Sequence, residues 1–174
     1  MTPACPGCGL KLDHAEGIAP ENYTASPACW ATYGELTAYN MQRADPGFLH
    51  QLAVDAYAAQ HEGPGSKAIA TAFGLIGLYL TFEQGFNGRE VQHAHAVLAG
   101  SRHDWPRLAA PPSRGGMTVA DVMATPEGDE RDDRLREWAR QVWLAWSEHH
   151  AIVAGWLPDP QRLKRPSRWG SAHP

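Results

Sequence analysis

Asp45-Pro46-Gly47-Phe48-Leu49-His50-Gln51-Leu52-Ala53-Val54-Asp55-Ala56-Tyr57-Ala58-Ala59-Gln60-His61-Glu62-Gly63-Pro64-Gly65 reads as one helix between a start and a stop. The Asp-Pro pair opens it, because the carboxylate caps free N–H groups and the fixed φ of proline suits the first helical position. Glu62-Gly-Pro-Gly forbids continuation, so the predicted helix runs from Asp45-Pro46 to about His61. On its wheel Leu49, Leu52, Ala53, Ala56 and Tyr57 form the apolar arc. His50, Val54 and His61 share one flank within about 40 degrees, and Asp55 lies on the other. A solvated carboxylate is the ordinary reading of Asp55; a buried partner for Trp or His is the sharper one.

The same punctuation continues on both sides. Ser26-Pro27 opens a helix through Trp30, Tyr33, Leu36 and Met41 toward Arg43. Ser66 caps an apolar helix through Leu75, Leu78 and Phe82, ended by Gly85, and Asn87-Gly-Arg-Glu90 is a capping-box start for a shorter helix stopped near Gly100. Ser101 to Met117, with Trp105-Pro106, Pro111-Pro112 and Gly115-Gly116, has no period and is expected as a long loop, either a lid or a cover for the end of the bundle. Thr118-Val-Ala-Asp121 caps one short helix. Trp138, Val142, Ala145, Trp146, His149, Val153 and Trp156 recur at three and four residue steps and predict a single last helix from about Asp132 to Trp156. No strand signal competes. The expected fold is all-α: a bundle of four main helices plus short helices in one domain over 1–157, its first 26 residues a metal-binding, zinc-knuckle-like segment, with a basic, proline-broken tail over 158–174.

All three cysteines lie within the first 29 residues: Cys5-Pro-Gly-Cys8-Gly, then Ser26-Pro-Ala-Cys29-Trp30. A Cys-x-x-Cys turn followed by Gly directs two thiolates at one ion, and tetrahedral zinc takes four donors. A disulfide leaves one thiol over, and a redox Cys-x-x-Cys opens a helix after a strand, which this Pro/Gly turn does not. Zinc is preferred to iron for a thiolate-rich tetrahedral set in a small cytosolic fold.

With no fourth cysteine, the last donor is expected from the nine histidines. Short-linked consecutive helices are antiparallel, so Cys29 in the first turn of one helix lies beside His61 in the last turn of the next. His50, about 16 Å further along that axis, cannot share one ion with His61. Topology prefers His61 as the ligand, with His50, His14, His149 and His150 as the alternatives. His93 and His95 point to nearly opposite sides of their helix and are expected at the surface, and His103 and His173 fall in irregular segments.

The 174 residues are 43% hydrophobic and 20% charged, with a formal charge of −4. That supports one domain with a substantial core and offers no overall attraction to nucleic acid or an anionic membrane. The longest apolar stretch, Ala68 to Phe82, is too short to span a bilayer comfortably. With no signal peptide in evidence, a cytoplasmic location is expected.

Taken together, Cys5-Pro-x-Cys8-Gly, Ser26-Pro-x-Cys29-Trp30, His50 to His61, Trp105-Pro with Pro111-Pro112, and Trp138-Ala with Trp143, Trp146 and His149-His150 resemble a bacterial family known as domain of unknown function 5946. The resemblance extends to about Trp156 and implies a helical protein with a metal site, without an assigned activity. Where similar sequences open the third helix with a histidine, this chain has Ala72-Phe73-Gly74.

Two functions follow as expectations. In the first, Cys5, Cys8, Cys29 and His61 hold a structural Zn2+ that staples the N-terminal segment to the bundle, and the fold serves a small molecule or a protein partner. In the second, an enzyme uses an open three-cysteine zinc with Asp55, His149 or His150 as catalytic base, the tryptophans walling an apolar pocket.

Overall fold

The computed structural model describes residues 3–12, 17–102 and 104–164. Among them the structure is all helical, with no strand: α1 Pro27–Gln42, α2 His50–Gln60, α3 Ala68–Gln84, α4 Gly88–Ser101, α5 Val119–Met123, α6 Asp129–Ala145 and α7 His150–Gly155. No helix among the described residues is long and apolar enough to cross a membrane.

The central element is α2, buried along almost its whole length, with α1, α3, α4 and α6 packed around it. Its alanines make this possible. Ala53, Ala56, Ala58 and Ala59 are all buried and let neighbours approach on every side, so the apolar arc read from the wheel widens to nearly the full circumference. The closest approach is to α3, where a Cβ on Gly74 would lie 2.7 Å from the Asp55 carbonyl oxygen. Trp138 on α6 and Trp146 just after it fill the centre and still satisfy their N–H groups: Trp138 Nε1 donates to Gln60 Oε1 at 3.0 Å, and Trp146 Nε1 to the Ala59 carbonyl at 3.2 Å. They are core, and removing a side chain of this size typically costs about 3–5 kcal/mol.

Several local signals act as expected. Ser26 Oγ accepts the Cys29 N–H with Pro27 at the first helical position, Asn87 and Glu90 close a capping box, and Gly85 ends α3 at φ 68°. Three do not. Asp45 caps a turn: its carboxylate oxygens accept the N–H groups of Gly47 and Leu49. Phe48 then takes φ 54°, so α2 begins only at His50, later than the Asp-Pro signal predicts. Ser66 turns back to Glu62 and Gly63, leaving α3 without a side-chain cap. The last helix is broken. After α6 comes a single tight turn, Ser147–His149, and then α7. At the break the His150 ring stacks on Trp143 with centroids 3.6 Å apart, its Nε2 bonded to the Trp143 carbonyl at 2.8 Å. A continuous helix would give that carbonyl to the N–H four residues on.

The loop from Asp104 to Thr118 is a strap over the end of α2. Arg107 pairs with buried Glu62 and its Nη2 donates to the Ser66 carbonyl at 2.6 Å. Arg114 Nη1 donates to the Glu62 carbonyl at 2.8 Å, while Gln60 Nε2 donates to the carbonyls of Met117 and Arg114. Between Pro158 and Lys164 a short helical turn, Pro160–Leu163, seats Leu163 in the core while Pro158, Asp159, Gln161 and Arg162 are exposed. Arg165, Arg168 and Trp169 lie outside the described residues.

Asp55 is neither solvated nor paired with Trp or His. It is 2% exposed; Oδ1 accepts from Gln51 Nε2 at 2.9 Å and Oδ2 has no partner. Burial pushes its carboxyl well above the usual range. A raised folded-state value means that the folded protein holds a proton which the unfolded chain releases, so this group's contribution to stability falls as pH rises above about 4. Asp55→Asn should therefore gain on the wild type by about 1 kcal/mol or more between pH 5.5 and pH 8, read by urea unfolding at both values. A constant difference would contradict the buried, protonated state.

Candidate metal centre

The donors come from three places that the fold brings together. Cys5 and Cys8 lie in a turn closed by Gly9 N–H to the Cys5 carbonyl and Cys5 N–H to the Leu10 carbonyl, both 2.8 Å, with Gly9 at φ 78°. Cys29 is carried on the first turn of α1, fixed by the Ser26 cap. His61 follows the last residue of α2. Thr24 N–H donates to the His61 carbonyl at 3.0 Å, stitching the N-terminal segment to the end of α2.

Cys5, Cys8, Cys29 and His61 each present one donor atom, and all four atoms lie within 4.8 Å of one another. Cys8 Sγ is 3.7 Å from Cys29 Sγ, and Cys29 Sγ is 3.3 Å from His61 Nε2. A tetrahedron with metal–sulfur bonds of about 2.3 Å and a metal–nitrogen bond of about 2.0 Å has edges of about 3.8 Å and about 3.5 Å. The set is therefore close to coordination spacing as it stands. Cys29 and His61 are wholly buried, Cys5 is 2% exposed and Cys8 lies at the partly open side.

The surroundings prepare the donors. His61 Nδ1 donates to the Tyr57 carbonyl at 2.8 Å, which leaves the Nε2 lone pair facing the sulfurs. The Tyr57 hydroxyl donates to Cys29 Sγ at 3.6 Å, and its ring stacks on the imidazole with centroids 3.9 Å apart. Burial above all pushes the phenol pKa up and keeps this donor protonated. Ser26 N–H points at Cys5 Sγ from 3.4 Å.

Three crowded sulfurs without a cation share protons unevenly. Cys5 is pulled far down by the hydrogen bonds from Cys29 and Cys8. Cys29 is pushed far up because it gives hydrogen bonds to Cys5 and Cys8 and is buried. At Cys8 the bond with Cys29 pulls down, but the bond with Cys5 and burial prevail and raise the thiol to about 12. Crowding without a cation thus disfavours a second thiolate beside the first. A bound dication makes all three thiolates stable, so metal uptake releases protons.

The segment that carries all four donors is also the one that places the chain among known proteins. The sequence matches, over residues 3–147, the family described as "Family of unknown function (DUF5946)". The chain belongs to that family. Comparison with curated proteins and with solved structures found no match.

Of the alternative ligands, His50 sits at the other end of α2, edge-on to Phe48. His149 Nε2 bonds the Ala109 carbonyl at 2.9 Å, and His150 is stacked on Trp143, so neither joins the donors although α6 does reach the right end of the bundle. His14, His103 and His173 lie outside the described residues. His95 is a correction: it packs edge-on to Phe73, and burial brings its pKa down to about 4. As catalytic candidates, Asp55 is enclosed against Gly77, and His149 and His150 are held by main-chain carbonyls.

Sequence reasoning missed Tyr57 as a support for the site and Gly7 as its contact. The first had a signal, since Tyr57 and His61 are one helical turn apart. The second had none: a Cβ on Gly7 would lie 2.5 Å from both His61 Cδ2 and the Thr24 carbonyl oxygen. Gly7→Ala should push the cysteine turn off the histidine and weaken metal binding roughly tenfold to a hundredfold in competition with a chromophoric chelator. Unchanged affinity would mean that the turn is held some other way.

Proposed function

We propose that Cys5, Cys8, Cys29 and His61 bind a single zinc ion whose role is structural, fastening residues 1–26 to the ends of α1 and α2. The observation that carries this reading is the fourth donor. His61 Nε2 stands 3.3 Å from Cys29 Sγ, with Nδ1 already committed to the Tyr57 carbonyl. Four protein donors leave no position for water or substrate, and three thiolates make zinc a weak Lewis acid. An open three-cysteine site has no support in this geometry.

The tryptophan-walled pocket of the enzyme reading fares no better, because Trp138 and Trp146 are core and Trp143 Nε1 is bonded to Glu83. Residues 1–157 act as one domain, in a reducing cytoplasm where the three thiols stay available to metal. Elemental analysis of protein purified without chelator or metal-affinity tag should give one zinc per chain, and cobalt substitution should give a tetrahedral thiolate spectrum. A folded protein with no metal and three titratable thiols would overturn the reading.

A further inference from the structure

A cleft of about 300 Å³ opens between the loop before α2, the α3–α4 turn and α6, away from the metal centre. Its floor is apolar, formed by Leu49, Leu52, Phe82 and Phe86. Its rim is cationic in a chain of net charge −4. Arg136 and Arg140 line it, and Lys164 Nζ stands 5.0 Å from the Phe86 ring centroid. The Arg140 guanidinium carbon is 4.5 Å from the Phe82 centroid. Of the arginines on α6, Arg131, Arg134 and Arg136 hold ion pairs, and Arg140 has none among the described residues.

Two like charges one turn apart on a helix repel, and an anion held between them reverses that. Asp45, on the cleft wall, is already turned to the N–H groups of Gly47 and Leu49. Three of the main-chain donors that a phosphate would want are also taken. Gly88 N–H goes to the Gly47 carbonyl, Asn87 N–H to Glu90 and Glu90 N–H to Asn87. What remains is the Arg140 guanidinium, unpaired among the described residues, together with the Nε and Nη2 donors of Arg136 that its Nη1 bond to Asp133 does not use, above an aromatic floor, which matches a carboxylate on an apolar body.

We propose that this cleft binds a small amphipathic carboxylic acid, aryl or medium-chain alkyl, with its carboxylate between Arg136 and Arg140 and its apolar body over Phe82 and Phe86. The proposal is independent of the zinc reading. The test titrates the full-length, metal-replete protein with 3-phenylpropanoate, its primary amide and inorganic phosphate, followed by amide NMR shifts. The acid is expected to perturb Thr81 and Phe86 and to bind roughly tenfold more tightly than the amide. Arg140→Gln should lose that preference while melting temperature and zinc content stay at wild-type values, since Arg140 is exposed and holds no hydrogen bond among the described residues. Arg136→Gln serves as the second variant. Equal binding of acid and amide, stronger binding of phosphate, shifts elsewhere on the protein, or no binding of the acid would each overturn the proposal.

Discussion

His61→Ala is expected to purify without zinc and to melt roughly 6–20 °C below the wild type. The side chain is wholly buried, stacked on Tyr57 and bonded through Nδ1 to the helix end, so its removal takes away a ligand and opens a hole. In isolated zinc fingers metal binding supplies about 10–16 kcal/mol and is the folding free energy. Here the tryptophan core is built without the metal, so the bundle should survive and the loss should be smaller, about 3–5 kcal/mol. For a chain of this length that is on the order of 2–4 °C per kcal/mol. Zinc analysis and a thermal melt, with and without chelator, read both effects; chelator should lower the wild type toward the variant and leave the variant unmoved. Full zinc retention in the variant would refute the assignment of the fourth donor. His50→Ala is the control at the far end of the same helix.

Gly74→Ala should destabilise by about 2–3 kcal/mol, against the direction of helix propensity. In an exposed helix the change gains up to about 1 kcal/mol. At this position the new Cβ would meet main-chain atoms of α2, 2.7 Å from the Asp55 carbonyl oxygen and 3.2 Å from Ala59 N, with Ala58 Cβ at 3.1 Å. Backbone inside a buried helix does not yield cheaply, and overpacking of this kind costs about 1–3 kcal/mol. Urea unfolding decides it: a variant as stable as the wild type, or more so, would mean that α2 and α3 leave room for a methyl group between them.

The alanine-rich run from Ala53 to Ala59 and the glycines of α3 belong to one device. Small residues on both helices bring α2 to the centre, and a central α2 carries His61 to Cys29. The strap completes that end. Gln60, buried and bonded to Trp138 on α6 and to Met117 and Arg114 in the strap, ties both segments to the position just before the ligand. Left without its partners, a group so buried costs about 1–3 kcal/mol.

What the sequence by itself determined was local or of short range. The all-α fold followed from apolar spacing, the ends at Ser26-Pro27, Asn87-Glu90 and Gly85 from capping chemistry, and three sulfurs of the metal centre from the Cys-x-x-Cys turn and Cys29. His61 was reachable because antiparallel neighbours joined by a short turn bring the start of one helix to the end of the next. Tertiary structure alone decided the rest. Whether Asp45 caps a helix or a turn depends on Phe48 and on Gly88, which lies far along the chain but packs against that turn, so that a Cβ there would fall 1.9 Å from the Phe48 carbonyl oxygen. Whether Asp55 meets water depends on Gly77, from which a Cβ would stand 2.0 Å from its Oδ2. The break after α6 depends on a histidine finding a tryptophan face and a carbonyl together. These outcomes turn on burial and on partners far along the chain, and periodicity, which records only which side of a helix is apolar, carries no trace of either.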